Sequence, residues 1–176
     1  TINEWLSVAE QAGQILLLEP YHRSLGKRLI KSPKLYFTDT GLAAFLAGFK
    51  SPEALWGSPQ AGAFFENHVV GQWLRWKEWS QPAASLWFWR NQAGDEVDLV
   101  VELDQKLHPI ECKYKELPDP RDARNLKKFI QFYGEENVGQ ACVACPVPLP
   151  YPLAPGVAAI PGWTEQPDLL ADEAQA

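Results

Sequence analysis

The sequence contains no methionine and is poor in several residue types that often define a function. Three cysteines and three histidines among 176 residues are too few for a disulfide scaffold or a multi-zinc protein. No apolar run approaches the roughly 20 residues of a membrane-spanning helix, and no signal peptide opens the chain. These absences predict a cytoplasmic protein. A helical pattern that begins at Thr1, together with the missing methionine, predicts a piece of a longer protein.

Excess positive charge is also missing, since 16 Lys and Arg face 22 Asp and Glu, giving a net charge of -6. Bulk charge therefore argues against a protein that coats nucleic acid. One stretch from 23 to 34 nevertheless holds five cations and no acidic residue: Arg23, Lys27, Arg28, Lys31 and Lys34. We interpret it either as a nucleic-acid-binding patch that contacts phosphates, like the wing of a winged helix, or as an ordinary loop that is solvated or docked on an acidic neighbouring domain.

The first third of the chain predicts a small helix-and-hairpin segment. The hydrophobic pattern favours a helix over 3–12, strands over 15–18 and 34–37, and a short helix over 41–46. Glycines and prolines between 48 and 60 indicate a domain boundary. We therefore divide the chain into a partial segment over 1–48, a domain over 57–163 and an acidic tail over 164–176.

The pattern after the boundary predicts an α/β domain. Its elements in order are a long helix, a three-stranded meander, a helix, a strand and a further short strand, over 61–79, 86–90, 96–103, 107–114, 120–133, 138–145 and 157–160. This order predicts a mixed central sheet flanked by helices. Cys142 and Cys145 have the spacing of a redox or half-zinc motif, but the apolar strand around them favours buried thiols.

Asp98 is a charged residue in the middle of an apolar strand. Strand alternation predicts that Val97, Leu99 and Val101 face away from it. A half-buried carboxylate is costly unless it is paired or bound to a cation. If the next strand folds back in a tight hairpin, Glu111 comes within about 5 to 8 Å of Asp98.

Glu111 and Lys113 share one face of the following strand, and Glu66 on the long helix offers a third carboxylate. Hard oxygen ligands without a histidine cluster favour Mg²⁺ or Mn²⁺ over zinc. The Lys113 ammonium could orient a water molecule or stabilise charge on a phosphate. Glu111 and Lys113 could also form a simple ion pair on the sheet.

The order of Glu66, Asp98 and Glu111-Cys112-Lys113 on helix, strand and strand resembles the PD-(D/E)XK nuclease superfamily over roughly 57–145. Val97 stands where the superfamily signature has proline. The resemblance implies a restriction-endonuclease-like core. It further implies that Glu66, Asp98, Glu111 and the backbone carbonyl of Cys112 hold Mg²⁺ or Mn²⁺. Asp98, Glu111 and Lys113 would be catalytic, with Lys113 positioning the water that hydrolyses DNA.

A second resemblance extends over almost the whole chain. It rests on the strings LGKRLIKSPKLYFTDTGLAAFLAG, GAFFENHVVGQW, LWFWRNQAGDEVDLVVE and HPIECKYKE. They resemble a C-terminal domain of unknown function that follows a P-loop AAA+-type ATPase module in bacterial and archaeal proteins. This implies that the segment over 1–48 is the end of a winged helix. It also implies that ATP binds only in a missing N-terminal part, in agreement with the absence of a Walker A motif.

Two functions from different classes therefore stand as expectations. One is a magnesium-dependent deoxyribonuclease domain, with DNA and the ATPase module of the same chain as partners. The other is a non-catalytic nucleic-acid-binding or regulatory module coupled to that ATPase.

Overall fold

The computed structural model describes residues 1–21 and 32–163. Within them the backbone forms five α-helices: α1 (Ile2–Gln11), α2 (Thr40–Leu46), α3 (Pro52–Trp56), α4 (Ala61–Ser80) and α5 (Arg124–Tyr133). The same residues form eight strands: β1 (Ile15–Leu18), β2 (Lys34–Phe37), β3 (Ser85–Arg90), β4 (Glu96–Leu103), β5 (Lys106–Cys112), β6 (Ala141–Cys145), β7 (Tyr151–Ala154) and β8 (Val157–Pro161). None of the described helices is both long and apolar enough to cross a membrane.

The N-terminal segment is a helix followed by a two-stranded hairpin, which confirms the predicted elements. Thr1 and Glu4 form a capping box that starts α1. Strands β1 and β2 pair antiparallel, with Ile15 opposite Phe37. Of the predicted basic patch, Lys34 lies in β2, whereas Arg23, Lys27, Arg28 and Lys31 lie outside the described residues, as does the tail over 164–176.

Six strands form a mixed sheet in the order β3-β4-β5-β6-β8-β7, which confirms the predicted α/β architecture. Strands β3, β4 and β5 are antiparallel, β5, β6 and β8 run parallel, and β7 returns antiparallel to β8. One face packs on α4 through buried side chains such as Phe65 and Trp73. The other face packs on α5 through Leu126 and Phe129. The sheet is thus buried on both faces. Charged residues near its centre are therefore surrounded by an apolar interior.

Strand β4 carries a bulge beside Asp98. The register between β3 and β4 shifts by one residue, as two pairs show: Trp87 with Val100 and Trp89 with Val97. Because a bulge reverses the alternation of side chains, Val97 packs with the α5 side while Leu99 packs with the α4 side. The expectation that Val97, Leu99 and Val101 share one face was therefore wrong for Val97.

A two-residue turn joins β4 and β5. Asp104 and Gln105 both have positive φ, 49° and 65°, as hairpin turns that match the strand twist require. The resulting register pairs Leu99 with Ile110. The next position along this register sets Asp98 across from Glu111, as the hairpin prediction requires.

Three elements differ from the sequence-based expectation. The predicted boundary region contains α3, which starts at the Ser51 cap and has proline in its first turn. The helix expected over 120–133 begins only at Arg124, because Asp119 and Asp122 accept backbone hydrogen bonds that hold 119–122 in a turn. Strand β7, at the edge of the sheet, was not predicted, and Pro152 within it is typical of edge strands.

Asn67 of α4 fastens strand β2 to the sheet domain. Its Oδ1 accepts from the Phe37 N–H at 2.8 Å, and its Nδ2 donates to the Phe37 carbonyl at 2.9 Å. We expect Asn67→Ala to lower the free energy of unfolding by about 1 to 3 kcal/mol, because it leaves backbone groups in a half-buried setting without partners. Urea denaturation measures the change, with Asn3→Ala as a control at an exposed position of α1. Equal stability of Asn67→Ala and wild type would contradict this role.

Candidate functional site

Four carboxylates and two lysines gather where β2, α4 and the paired strands β4 and β5 meet. We call this cluster the acidic centre, and its members are Glu66, Glu96, Asp98, Glu111, Lys34 and Lys113. They come from four separate elements, so the tertiary fold assembles the cluster from distant parts of the sequence.

Three of the carboxylates converge on one ammonium group. The Nζ of Lys34 lies 2.6 Å from Glu66 Oε1, 2.6 Å from Glu96 Oε1 and 3.4 Å from Asp98 Oδ1. The Lys34 side chain is only 19% exposed. Lys34 was predicted to belong to a basic nucleic-acid-binding patch, and the structure places it inside the acidic centre.

Neighbouring groups keep these charges in place. The Tyr36 hydroxyl donates to Glu66 Oε1 at 2.5 Å, and Arg90 pairs with Glu96. Burial opposes the charged form of Lys34, but Tyr36, Asp98 and Glu66 outweigh it and raise the pKa of the lysine. Lys34 is therefore a permanent cation within the cluster.

Asp98 links the two paired strands. Its Oδ2 accepts from the Cys112 N–H at 2.9 Å, while its Oδ1 faces Lys34. Burial and the nearby Glu66 carboxylate raise the pKa of Asp98. The negative charge of this residue is thus only partly compensated by its surroundings.

Glu111 is the most buried carboxylate of the acidic centre, with 4% of its surface exposed. Its Oε1 accepts from Lys113 Nζ at 2.7 Å, whereas its buried Oε2 has no hydrogen-bond donor among the described residues. Burial and Asp98 together raise the pKa of Glu111 to about 7. A buried oxygen of this kind is a position where a cation or a water molecule is stabilised.

A cleft of about 380 Å³ opens beside Glu111 and Lys113 at the start of α5. Its remaining lining residues are Arg121, Asp122, Arg124 and Asn125. The Lys113 side chain is 36% exposed, so its ammonium is accessible from solvent. The acidic centre is therefore reachable from outside on the α5 side of the sheet.

Glu66, Asp98 and Glu111, which the resemblance assigns to a metal, face lysine side chains in this structure. In the described part of the chain, no group of three or more His, Cys, Asp or Glu side chains is gathered so that it could hold a metal ion. Glu66 and Asp98 turn towards Lys34, and Glu111 turns towards Lys113. The carboxylate oxygens of Glu66 and Asp98 thus surround the Lys34 ammonium, and within the described residues Glu111 Oε2 has no hydrogen-bond donor.

Sequence reasoning identified Glu66, Asp98, Glu111 and Lys113 but missed Glu96. Glu96 lies two residues before Asp98 in the same strand, so strand alternation was the signal that could have found it. Strand pairing and helix periodicity gave no signal for the contact between Lys34 and Glu66, which are 32 residues apart. The thiols of Cys142 and Cys145 are free and buried, as predicted, and so is that of Cys112. Burial raises the pKa of Cys142 to about 12 and that of Cys145, where it is the main cause, to about 11.

A family profile described as Domain of unknown function (DUF4143) matches residues 61–163, more than half of the chain. The chain belongs to this family. Residues 1–53 match a second profile, Domain of unknown function (DUF8612). The boundary between the two profiles falls within the glycine- and proline-rich region over 48–60.

Two curated mycobacterial proteins are similar to the chain. They are "Uncharacterized protein Rv2008c" of Mycobacterium tuberculosis and "Uncharacterized protein Mb2031c" of Mycobacterium bovis. Each is 31% identical over 162 residues, which cover 92% of this chain and 34% of the relative. The chain thus spans about a third of the length of these relatives. No solved structure matches it.

The raised pKa of Glu111 predicts a pH-dependent stability of the DUF4143 domain. A carboxyl whose pKa rises from 4.5 to about 7 on folding binds more protons in the folded state. Its contribution to stability is therefore lost as the pH rises through this range. We expect Glu111→Gln to be more stable than wild type at pH 8, by about 1 to 3 kcal/mol, and to show a flatter dependence.

Denaturation with guanidinium at pH 5 and pH 8 in EDTA measures this difference. The control is Glu116→Gln, which removes an exposed carboxylate a few residues away. If the wild type and Glu111→Gln lose stability in parallel between the two pH values, Glu111 is not the cause of the pH-dependent stability.

Proposed function

We propose that the chain carries a restriction-endonuclease-like domain of the PD-(D/E)XK type, which hydrolyses phosphodiester bonds of DNA with the help of Mg²⁺ or Mn²⁺. The observation that carries this proposal is the acidic centre, a buried group of carboxylates at the end of two paired strands, next to a solvent-accessible lysine. The resemblance to nucleases was drawn from the same residues.

The charges of the acidic centre support a role in binding a cation. Four carboxylates face three cationic side chains, those of Lys34, Lys113 and Arg90, which leaves negative charge in excess. Burial and mutual repulsion raise the pKa of both Asp98 and Glu111. A purely structural ion-pair network would be expected to compensate its buried charges more fully. A divalent cation would supply the charge that is missing.

The residues proposed to hold the metal are Glu66, Asp98, Glu111 and the Cys112 carbonyl. A bound Mg²⁺ or Mn²⁺ would lower the pKa of a water molecule and neutralise charge on the phosphate. Lys113 is held by Glu111 at 2.7 Å and faces the cleft, so its ammonium can position a water molecule and donate to a phosphate oxygen. Arg121 and Arg124 line the same cleft and are suited to contact neighbouring phosphates.

A plasmid-nicking assay tests this proposal. Supercoiled DNA is incubated with the protein in EDTA, in Mg²⁺ and in Mn²⁺, with Lys113→Met and Lys106→Met as a matched pair. Lys106 is a partly exposed lysine that donates to the Glu136 carbonyl and does not belong to the acidic centre. We expect nicking only with a divalent cation, unchanged activity for Lys106→Met and a loss of at least about 100-fold for Lys113→Met. Equal nicking by all proteins, or nicking in EDTA, would argue against the proposed site.

The second candidate is a non-catalytic nucleic-acid-binding or regulatory module. The observation that favours it is the Lys34 contact, because an internal ammonium can satisfy Glu66 and Glu96 without any metal. On this alternative the protein shifts a DNA band in a gel assay without nicking it in any metal. Nicking that depends on Lys113 would exclude the alternative.

We also propose that the segment over 1–48 is part of a winged helix, with Arg23, Lys27, Arg28 and Lys31 as its nucleic-acid contacts. Lys34, the fifth cation of the predicted patch, contacts the carboxylates of the acidic centre instead. In the full-length protein an AAA+-type ATPase module would be the partner of this chain and would bind the ATP. The relatives are about three times as long as the matched region, which leaves room for such a module.

A further inference from the structure

We propose that Lys34 is a built-in counter-cation of the acidic centre, which a divalent metal ion must displace, so that Lys34 sets the metal affinity of the site. The inference rests on the proposed function, because it takes the acidic centre to be the place where the metal binds. It adds a residue from the N-terminal hairpin that the resemblance to nucleases does not supply.

The positions of the oxygen atoms make the two cations mutually exclusive. Lys34 Nζ lies 2.6 Å from Glu66 Oε1 and 3.4 Å from Asp98 Oδ1, two of the residues proposed as metal ligands. A Mg²⁺ ion would need such oxygens at about 2.1 Å, with near-octahedral geometry. A second positive charge between the same oxygens would be repelled by the ammonium. The metal can therefore enter only when Lys34 leaves.

Lys34 belongs to β2, which is outside the six-stranded sheet that carries Asp98 and Glu111. Three side-chain contacts hold β2 against α4: the Lys34 ammonium and the Tyr36 hydroxyl on Glu66, and Asn67 on the Phe37 backbone. The Tyr36 and Asn67 contacts do not depend on the Lys34 charge. The side chain of Lys34 can consequently move while its strand stays in place.

The displaced side chain has space to move into. An open cleft of about 620 Å³ lies between β2, α2 and α4, and Lys34 lines it together with Leu35, Ala63 and Glu66. Rotation of the lysine into this cleft would release its contacts with Glu96 and Asp98. A divalent metal ion would also replace the single positive charge of Lys34 by two, which would reduce the excess of negative charge in the acidic centre.

Calorimetric titration of Mn²⁺ into wild type and Lys34→Met tests the proposal. Methionine keeps the unbranched shape and most of the length of the lysine side chain, and it removes the charge. We expect Lys34→Met to bind Mn²⁺ at least tenfold more tightly than wild type, and Lys50→Met, which changes an exposed lysine, to bind like wild type. Equal or weaker binding by Lys34→Met would overturn the proposal.

A second measurement uses the wild-type protein, so that it does not depend on the folding of a variant. Lysines are acylated with an amine-reactive reagent, with and without Mn²⁺, and the labelled positions are quantified by mass spectrometry. We expect the labelling of Lys34 to rise at least threefold with Mn²⁺ while that of Lys50 stays constant. Mn²⁺ binding without any change at Lys34 would contradict displacement.

The two proposals fail in different ways. If Lys34→Met gains Mn²⁺ affinity but no protein nicks DNA, the counter-cation role stands and the nuclease activity is wrong. If wild type nicks DNA with Mn²⁺ and Lys34→Met binds the metal no more tightly, the nuclease stands and the role of Lys34 is wrong. If neither protein binds Mn²⁺, both proposals are wrong.

Discussion

Replacement of Asp98 by asparagine is expected to reduce Mn²⁺-dependent nicking by at least about 100-fold without unfolding the protein. In the wild type, Asp98 Oδ2 accepts a hydrogen bond from the Cys112 N–H at 2.9 Å. The asparagine amide is close to the carboxylate in shape and still offers an oxygen to this N–H. What the substitution removes is the negative charge that faces Lys34 and the proposed metal. Activity and stability should therefore separate in this variant.

At alkaline pH, the Asp98→Asn variant should be slightly more stable than the wild type. Burial and Glu66 raise the pKa of Asp98, so the folded state binds this proton more tightly than the unfolded chain does. The contribution of Asp98 to stability is consequently lost as the pH rises, and a neutral asparagine avoids that loss. Thermal melting at pH 8 in EDTA measures the difference.

The control for Asp98→Asn is Asp104→Asn, the same chemical change at the turn that ends β4. Asparagine tolerates the positive φ of 49° that Asp104 adopts. We expect Asp104→Asn to nick DNA like wild type. Full activity of Asp98→Asn would exclude Asp98 from the chemistry, and a large loss of its stability would show a structural role instead.

Lys34→Met is expected to lower the free energy of unfolding by about 2 to 4 kcal/mol in EDTA. The substitution leaves Glu66, Glu96 and Asp98 near one another without the ammonium that lies 2.6 Å from two of them. Removing one partner of a buried ion pair is costly because the charge of the other partner stays desolvated. Chemical denaturation of the two proteins in the same buffer measures the loss.

Mn²⁺ should restore most of this stability. At a concentration a hundredfold above Kd, a ligand that binds only the folded state contributes about 2.7 kcal/mol. Lys50→Met, a control outside the acidic centre, should have wild-type stability in both EDTA and Mn²⁺. If Lys34→Met is as stable as wild type in EDTA, the carboxylates do not depend on Lys34 for their compensation.

Much of the fold could be predicted because its signals are local. The spacing of Phe65, Val69 and Trp73 predicts the buried face of α4, and the short turn at 104–105 predicts the hairpin that sets Asp98 across from Glu111. The bulge in β4 could not be predicted in this way. It depends on the register with β3, which no pattern within β4 records.

The acidic centre was predictable where strand pairing determines it and unpredictable where tertiary packing does. Asp98 and Glu111 come together through a two-residue hairpin turn, so sequence reasoning could place them as neighbours. Lys34 reaches the same centre only because Tyr36 and Asn67 dock β2 on α4. A basic residue in a run of cations predicts a surface patch, and only the three-dimensional contacts show that this one faces carboxylates.

The most direct test of the central claim is the location of Mn²⁺ in crystals of the protein by anomalous scattering. We expect one strong peak among the carboxylates of Glu66, Asp98 and Glu111, with the Lys34 ammonium moved away from it. Absence of a peak there at millimolar Mn²⁺, with Lys34 still on Glu66, would contradict the claim that the acidic centre binds a divalent cation.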